Sequence, residues 1–486
     1  MHLFLLIMYP HDEKQLEFFL PFSGKLDPNN RWVKLADLIP WVEFETSYSK
    51  SLKGLGGGPP AKSVRVALGA LIIKERLGTS DRETVAQITE NPYLQYFLGF
   101  KEYSEKPPFH PTLFVAFRKR LNIGMATKIN DAIVLREKPE KKRSKDDNQD
   151  GDGSTQNMGK LLVDASCTPA DITFPTDLKL LNKAREKSEE IIDILHGPYI
   201  GIRKKPRTYR RKARKNFLAT AKSKRLPKNK KRKAIRKQLG YLARNLKTIK
   251  EMGKDRVSLF ALDKIRYKNL LVINEVYRQQ QWMYDHRKNK INDRIVSVSQ
   301  PHVRPIKRGK AGASAEFGAK ISASLVDGFF FLDRLGWDNY NESVDLIEQI
   351  YSYKKRFGFY PASVHADKIY RNRKNIRFCK DRGIRLSGPP LGRPPKDLSK
   401  RTASRKMARQ DEIDRISIEG KFGQGKRRFS LSRIMCKLSK TSETAIAVVF
   451  LVMNLEKWLR AMFLNFFVCF WMAAMPKIRM KMENYC

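Results

Sequence analysis

The spacing of hydrophobic residues divides the chain into a helical N-terminal part and a later part with strand-like runs. Residues 62–121 carry apolar positions at helical intervals, and the run KSVRVALGALIIKERLG predicts a helix that ends at Gly78. From residue 160 onward, short continuous apolar runs are typical of buried strands. One of them predicts a hairpin with its turn at Asp327 and Gly328.

The order of these runs predicts an α/β domain with a mixed sheet. The segments expected to supply strands are KLLVDASCTPADITF, NDRIVSVSQ, AEFGAKISASLVDGFFFLDRLGW, FYPASVHADKIY and GIRLSGPP. NESVDLIEQIYSYKKRFG predicts an amphipathic helix that ends at Gly358, NRKNIRFCKDRG a shorter helix, and ISIEGKFGQGK lies on a final helix. Between the first strand and the hairpin, roughly residues 178–290 form a long helical insert.

Three acidic residues in these segments are candidates for a metal site. Asp164 and Asp367 end the hydrophobic runs of two expected strands, and Glu419 lies on the final helix. A buried carboxylate is costly unless it is paired or binds a metal ion. Carboxylate oxygens are the ligands that Mg²⁺ prefers, and two such ions can promote cleavage of a phosphodiester.

The charge of the chain indicates a polyanionic partner. There are 97 Lys and Arg residues against 50 Asp and Glu, a formal net charge of +47. Residues 203–250 contain no acidic residue, so an ordered helical arm that follows phosphates is expected there. A disordered polybasic segment or a solvated helix face is the alternative. The helices of 62–121 predict a DNA-reading domain, with a packing or dimerisation domain as the alternative.

Cysteine usage and the chain termini are those expected of a protein in a reduced cytosol. The five cysteines form no CxxC pair, which predicts neither a zinc site nor a disulfide framework. MHLFLLIMYP lacks the features of a signal peptide, and the apolar segment near the C-terminus is shorter than a membrane span. The expected domains are an N-terminal helical DNA-binding domain (1–136), a linker (137–159), a catalytic domain with the insert (160–457) and an apolar tail (458–486).

From about residue 62 to residue 457 the chain resembles the DDE-type transposases of bacterial insertion sequences. The resemblance rests on LLVDASCTPADITFPTDLKLLN, RIVSVSQPHVRPIKRGKAGASAEFGAKIS, DRLGWDNYNES, HADKIYRNRKN and RISIEGKFGQGKRRFSLSRI. It implies a ribonuclease-H-like catalytic core. It also implies that Asp164, Asp367 and Glu419 bind two divalent ions, Mg²⁺ or alternatively Mn²⁺.

A related transposase group carries a Tyr, Arg, Glu and Lys signature around the third acid. Here Arg415 stands four residues before Glu419 and Lys426 seven after it, at the spacing of that group, while Glu412 occupies the tyrosine position. The resemblance implies that Arg415 reaches a DNA phosphate and Lys426 the end of the element. The alternative is that Arg415 and Lys426 are ordinary surface charges. His365 is expected to be a structural histidine beside the site, with the orientation of a water or ligand as the alternative.

The implied function is transposition. Metal-activated water would cut the ends of the element, and the freed 3′-hydroxyl would attack target DNA. The partners would be the terminal inverted repeats and target DNA, bound by a homodimer or higher oligomer in the nucleoid, with no membrane. Two alternatives remain: a nuclease or resolvase on the same fold, which would cut without joining, and a catalytically defective DNA-binding protein derived from a transposase.

Overall fold

The computed structural model describes residues 24–52, 60–135, 156–223, 227–254, 261–307, 315–388 and 398–483. The apolar N-terminus and most of the expected linker at 137–159 lie outside these residues. The described residues fold as two compact units. The first unit comprises residues 1–168, 321–335 and 341–486, and the second comprises residues 169–320 and 336–340.

In the described residues, six helices open the first unit. They are α1 (Arg31–Leu38), α2 (Trp41–Ser49), α3 (Val64–Leu77), α4 (Asp81–Glu90), α5 (Pro92–Phe97) and α6 (Leu113–Leu135). Local sequence fixes their ends: α3 stops at Gly78, whose φ of 68° is left-handed, and the Ser80 hydroxyl accepts a hydrogen bond from the Glu83 N–H at 3.1 Å. The helices predicted for 62–121 are therefore confirmed.

A mixed sheet forms the centre of the first unit. Its strands are β1 (Lys160–Pro169), β3 (Ala315–Val326), β4 (Phe329–Gly336), β5 (Ser363–His365) and β6 (Arg385–Leu386). The order is β3-β1-β5-β6, with β4 also paired to β3, and β5 runs parallel to both β1 and β6. The mixed α/β fold expected from the sequence is confirmed, and it is consistent with a ribonuclease-H-like core joined to helical regions.

The hairpin between β3 and β4 is connected by the two residues predicted for its turn. Asp327 and Gly328 have φ angles of 49° and 77°, the left-handed values that a type I′ turn requires at both central positions. Helix α11 (Leu346–Phe357) follows the hairpin and ends at Gly358 as predicted, and α12 (Arg373–Lys380) lies between β5 and β6.

The sheet and its helices share one hydrophobic core. Buried members of this core include Val134 from α6, Val163 from β1, Phe331 from β4, Ile350 from α11 and Val364 from β5. Two long helices complete the unit, α13 (Leu398–Arg428) and α14 (Ser439–Glu483). Within the described residues, no helix is long and apolar enough to cross a membrane.

The N-terminal helices and the sheet meet through polar contacts made by α14. The Asn454 amide donates to the Phe330 carbonyl and to Asn130 of α6, both at 2.8 Å, and its oxygen accepts from the Phe330 N–H. Arg76 of α3 forms a 2.6 Å ion pair with Glu456. These contacts explain why the helices of the first 135 residues belong to the same unit as the sheet.

Where the structure describes the second unit, its long helices are α7 (Asp177–His196), α8 (Arg210–Ala221), α9 (Lys228–Met252) and α10 (Lys264–Asp285). Leu181, Ile192, Leu242, Ile249 and Ile273 are buried in their common core. The insert is thus an ordered helical body in its described residues, and the disordered alternative is wrong for them. Strand β2 (Arg304–Lys307) pairs antiparallel with the first residues of β3 in this unit.

One predicted strand is wrong. NDRIVSVSQ has no strand neighbour and runs as irregular chain, with Ile295, Val296 and Val298 buried. The Ile295 N–H donates to the side-chain oxygen of Gln279 at 2.9 Å, so a side chain of α10 meets a backbone donor that a sheet would otherwise satisfy. Burial of alternate apolar residues was correctly indicated, but the hydrogen-bond partner came from a helix.

Candidate active site

The register of two parallel strands brings Asp164 and Asp367 to the same level of the sheet. In β1 and β5, Leu162 is paired with His365, and each aspartate follows its strand's member of that pair by two residues. Neighbouring strands are about 4.8 Å apart, so two residues at one level are close although 203 positions (367 − 164) separate them. Asp164 lies within β1, which continues to Pro169, whereas β5 ends before Asp367.

Asp164 is a partly buried carboxylate in a negatively charged surrounding. Burial raises its pKa to about 6, and Glu342 and Glu419 act in the same direction. A hydrogen bond from the Ala165 N–H at 2.8 Å and the positive charge of Arg415 oppose this rise. Nearby positive charge would therefore stabilise the ionised form of Asp164.

Arg415 lies between the other two acids. Its Nη1 is 3.7 Å from Oδ1 of Asp367, and its Nη2 is 3.5 Å from Oε1 of Glu419. The Asp367 and Glu419 side chains are 51 % and 59 % exposed, so this end of the site is open to solvent and to a large ligand. Asp367 also accepts the Lys368 N–H at 2.6 Å, which holds it at the start of a short 3₁₀ turn.

Helix α13 explains why Arg415, Glu419 and Lys426 form one row. At about 100° per residue, they fall on a flank next to the buried positions Ile418 and Phe422. Lys426 lies about 10 Å further along the helix axis than Glu419 (seven residues at ~1.5 Å). Glu412, at the tyrosine position of the related signature, is exposed.

Lys426 lines a cavity of about 320 Å³ with other basic residues. Lys74 of α3, Arg118 of α6, and Arg427 and Arg428 at the end of α13 share this lining, so the surroundings of Lys426 are strongly positive. The cavity also contains Glu75, which accepts hydrogen bonds from the N–H and hydroxyl of Ser430 at 2.7 and 2.8 Å. Lys74 and Arg118 both pair with Asp81, and Arg428 lies 3.8 Å from Glu456, so acids balance part of this positive charge.

The structure adds Glu342 to the residues of the site. It begins a 3₁₀ turn after β4 and contributes negative charge at Asp164. Sequence reasoning did not single it out, although it belongs to DRLGWDNYNES, one of the segments that carry the resemblance. A glutamate in a polar loop has no hydrophobic context that would mark it as functional.

The donor chemistry of these residues fits a divalent cation. Asp164, Asp367 and Glu419 supply carboxylate oxygens from three elements of one unit, and one of them has a raised pKa. Within the described ranges, no three His, Cys, Asp or Glu side chains are grouped as a formed metal site, and Arg415 provides positive charge to two of the acids. A cation would take over that role of counter-charge.

Comparisons with known proteins match two parts of the chain to transposase domains. Residues 364–456, which include Asp367, Arg415, Glu419 and Lys426, match the family described as a transposase DDE domain. Residues 21–120 match a second family, described as a transposase domain.

A relative in Rhizobium meliloti, described as an uncharacterized protein, ORF8 in the nfe locus, is 28 % identical over 167 residues. The match covers 34 % of this chain and 75 % of the relative. No solved structure matches the chain. The matches to two transposase families make this chain similar to DDE-type transposases over residues 21–120 and 364–456.

Proposed function

We propose that this chain is an active transposase, which cuts DNA at the ends of its element and joins the freed ends to target DNA. The observation that carries the proposal is the approach of Asp164, Asp367 and Glu419 around Arg415 at one end of the sheet. The match to a transposase DDE domain, which spans two of these acids, supports it.

The three carboxylates would hold the divalent cations that this family uses, with Mg²⁺ or Mn²⁺ as the ions and two as the expected number. Bound there, such ions would activate a water or a DNA 3′-hydroxyl for attack and would neutralise the charge that develops at the phosphodiester. Arg415 would then turn its guanidinium from the two acids towards a DNA phosphate, for which its planar set of donors is well suited. Lys426, in the same row of α13, would bind the end of the element.

The second unit would bind the DNA backbone. Helix α8 exposes Arg211, Lys212, Arg214 and Lys215, while Ala213 faces inward. An exposed row of cations on an ordered helix can follow phosphates without reading sequence. Recognition of the terminal inverted repeats is assigned to the N-terminal helices, and a homodimer or higher oligomer is expected to form on DNA.

A strand-transfer assay with the element's own ends and Mg²⁺ tests the proposal. The wild-type chain should cut the ends and join them to a target plasmid. Asp367→Asn should abolish both steps, because it removes a ligand charge, and should leave DNA affinity largely unchanged, because affinity comes mostly from lysine and arginine.

The matched control is Asp381→Asn. Asp381 has a similar exposure of 57 % and forms only a 3.9 Å surface pair with Arg377, so this variant should join ends at the wild-type rate. Cutting without joining by the wild-type chain would favour a nuclease on the same fold. End binding without cutting would favour a defective transposase derivative, and normal joining by Asp367→Asn would contradict the assigned acid.

A further inference from the structure

A second polar cluster lies at the opposite ends of the strands that carry the site. Lys160, Ser363 and Arg385 are register partners across β1, β5 and β6, and each is the first residue of its strand. His365 lies two residues further along β5, on the same face as Ser363, and its Nε2 is 3.0 Å from the Ser363 hydroxyl. One face of the sheet therefore carries two basic side chains, Lys160 and Arg385, and the fully buried His365.

Helix α13 places two acids against this row. Asp411 receives two hydrogen bonds from the Arg385 guanidinium, at 2.9 and 2.8 Å, and its side chain is only 7 % exposed. Asp414 pairs with Lys160 at 2.7 Å. Nδ1 of His365 is 3.4 Å from Asp411 and 3.7 Å from Asp414. We name these five residues, Lys160, His365, Arg385, Asp411 and Asp414, the register cluster.

The register cluster and the site are separated by nearly the same distance along α13 and along β5. From Asp411 to Glu419 there are eight helical residues, about 12 Å at ~1.5 Å each. From Ser363 to Asp367 there are four extended residues, about 13 Å at ~3.3 Å each. Asp411 is held opposite Lys160, Ser363 and Arg385. Glu419 is therefore held at the same level of the sheet as Asp367 and Asp164.

Hydrophobic contacts alone would not set this level. Ile418 and Phe422 are the buried apolar residues of α13 near the site, and non-directional apolar packing tolerates small shifts along a helix. The bidentate contact between Arg385 and Asp411 is directional. A shift of α13 by one helical turn, about 5.4 Å, would break it. Rotation by one residue would turn Asp411 away from the sheet by about 100°.

We infer that the register cluster positions the third acid and its neighbour Arg415, so that Asp411, Arg385 and His365 are positioning residues for the metal and DNA chemistry. The inference rests on the proposed function, because it assigns Glu419 a place in the cation site. It adds Asp411, eight positions before Glu419 on α13, and its partners Arg385 and His365 on β6 and β5, which would act through the placement of Glu419.

The test compares Asp411→Asn with Asp333→Asn. Asp333 is equally buried and also has a guanidinium partner, Arg356 at 3.3 Å, but it lies on β4 and contacts no residue of α13 in the hydrogen bonds and ion pairs of the described chain. Both variants should lower the melting temperature. Three further measurements separate them: the shift in melting temperature caused by Mg²⁺ or Mn²⁺ without DNA, the dissociation constant for end DNA, and the rate of joining.

Asp411→Asn should need roughly ten- to hundredfold more cation for its melting shift and should lose joining by a similar factor, as for residues that orient metal ligands. Its dissociation constant for DNA should stay within about twofold of wild type, because no phosphate-binding cation is removed. Asp333→Asn should keep the wild-type cation response. Arg385→Gln, at a more exposed position, should give a smaller change in the same direction and serves if Asp411→Asn does not fold.

Two results separate failure of this inference from failure of the proposed function. If wild type joins ends and Asp411→Asn responds to cation and joins like Asp333→Asn, the cluster only stabilises the fold and the inference is overturned. If wild type neither responds to cation nor joins ends, the proposed function fails, and the positioning role fails with it.

Discussion

The charged residues of the two units are brought together in different ways. In the first unit, the candidate site needs residues from β1, the turn after β5 and α13, which are 203 and 52 positions apart (367 − 164 and 419 − 367). In the second unit, α8 and α9 are neighbours in the chain, and their cations face outward by helical periodicity. The comparison shows that the candidate site depends on long-range assembly, whereas the exposed positive surface of the second unit depends on local composition.

The acids of the two units differ in the same way. In the first unit, the pKa of Asp164 is raised by burial and by other acids. In the second, burial raises the pKa of Asp193, but hydrogen bonds from Arg210 and Lys205 bring it below its ordinary value. The charge of Asp193 is thus balanced by adjacent bases, while Asp164 lies in a surrounding where added positive charge would stabilise its ionised form.

The largest effect should come from breaking the long-range site. Glu419→Gln should reduce cleavage and joining by more than about a hundredfold, the upper range for residues that merely support metal ligands. Its end-DNA dissociation constant should remain close to wild type. Single-turnover cleavage together with a binding titration checks this, and a variant that binds weakly but cuts normally would reverse the roles given to the two units.

The second effect concerns the local surface of α8. Replacing Arg211, Lys212, Arg214 and Lys215 with glutamine should reduce the log–log salt slope of DNA binding by about 0.9 per lost phosphate contact, or up to about 3.6. Affinity should fall alike for all sequences, and preference for the element's ends should survive.

A single substitution supplies the control for that experiment. Arg210→Gln removes a cation that Asp193 already pairs at 2.6 Å, so its slope should change less than that of Arg211→Gln. If the fourfold variant keeps its salt slope but loses preference for the ends, sequence recognition belongs to the insert. Binding titrations at several salt concentrations distinguish these outcomes.

A smaller effect concerns how tightly α13 packs in the first unit. A Cβ at Gly425 would lie 2.6 Å from Cδ1 of Leu431 and 3.3 Å from the sulfur of Met453, whereas a Cβ at Gly420 meets nothing within 4 Å. Gly425→Ala should therefore cost about 1–3 kcal/mol of unfolding free energy. Gly420→Ala should add roughly 0.5–1 kcal/mol through helix propensity, and denaturant unfolding of both variants compares the two faces.

The smallest effect is a pH dependence at Glu75. Burial raises its pKa, although the N–H and hydroxyl of Ser430 act in the opposite direction. A raised pKa means that the folded state holds the proton more tightly, so this contribution to stability is present at low pH and is lost as pH rises through the folded pKa. Glu75→Gln should therefore gain stability relative to wild type as the pH rises through the raised pKa of Glu75, as thermal melting at several pH values will show.

Several features of the fold could be predicted because their causes are local. Gly78 and Gly358 end helices through left-handed backbone angles, and Asp327-Gly328 makes the hairpin turn. The helical insert was predicted from apolar spacing between basic residues. NDRIVSVSQ was predicted wrongly, because its apolar pattern reports burial and does not report which group accepts its hydrogen bonds.

The candidate site was predicted only in its residue types and spacing. Asp164, Asp367 and Glu419 stand out because each interrupts or flanks an ordered segment, and Arg415 and Lys426 because of their spacing from Glu419. Their catalytic roles remain predictions, as do the domain boundaries. Glu342 was not foreseen, nor was any residue of the register cluster except His365, because their partners are distant in sequence and nothing local marks them.

The sequence by itself determined the turns, the helix ends, the positive surface and the identity of the acids, since these follow from side-chain chemistry and backbone preference within a few residues. Only the tertiary structure decided which strands are neighbours, at what level α13 lies against them, and hence that Arg415 stands between Asp367 and Glu419. The physical reason is that strand register and ion-pair geometry depend on distances between segments far apart in the chain, which local pattern does not encode.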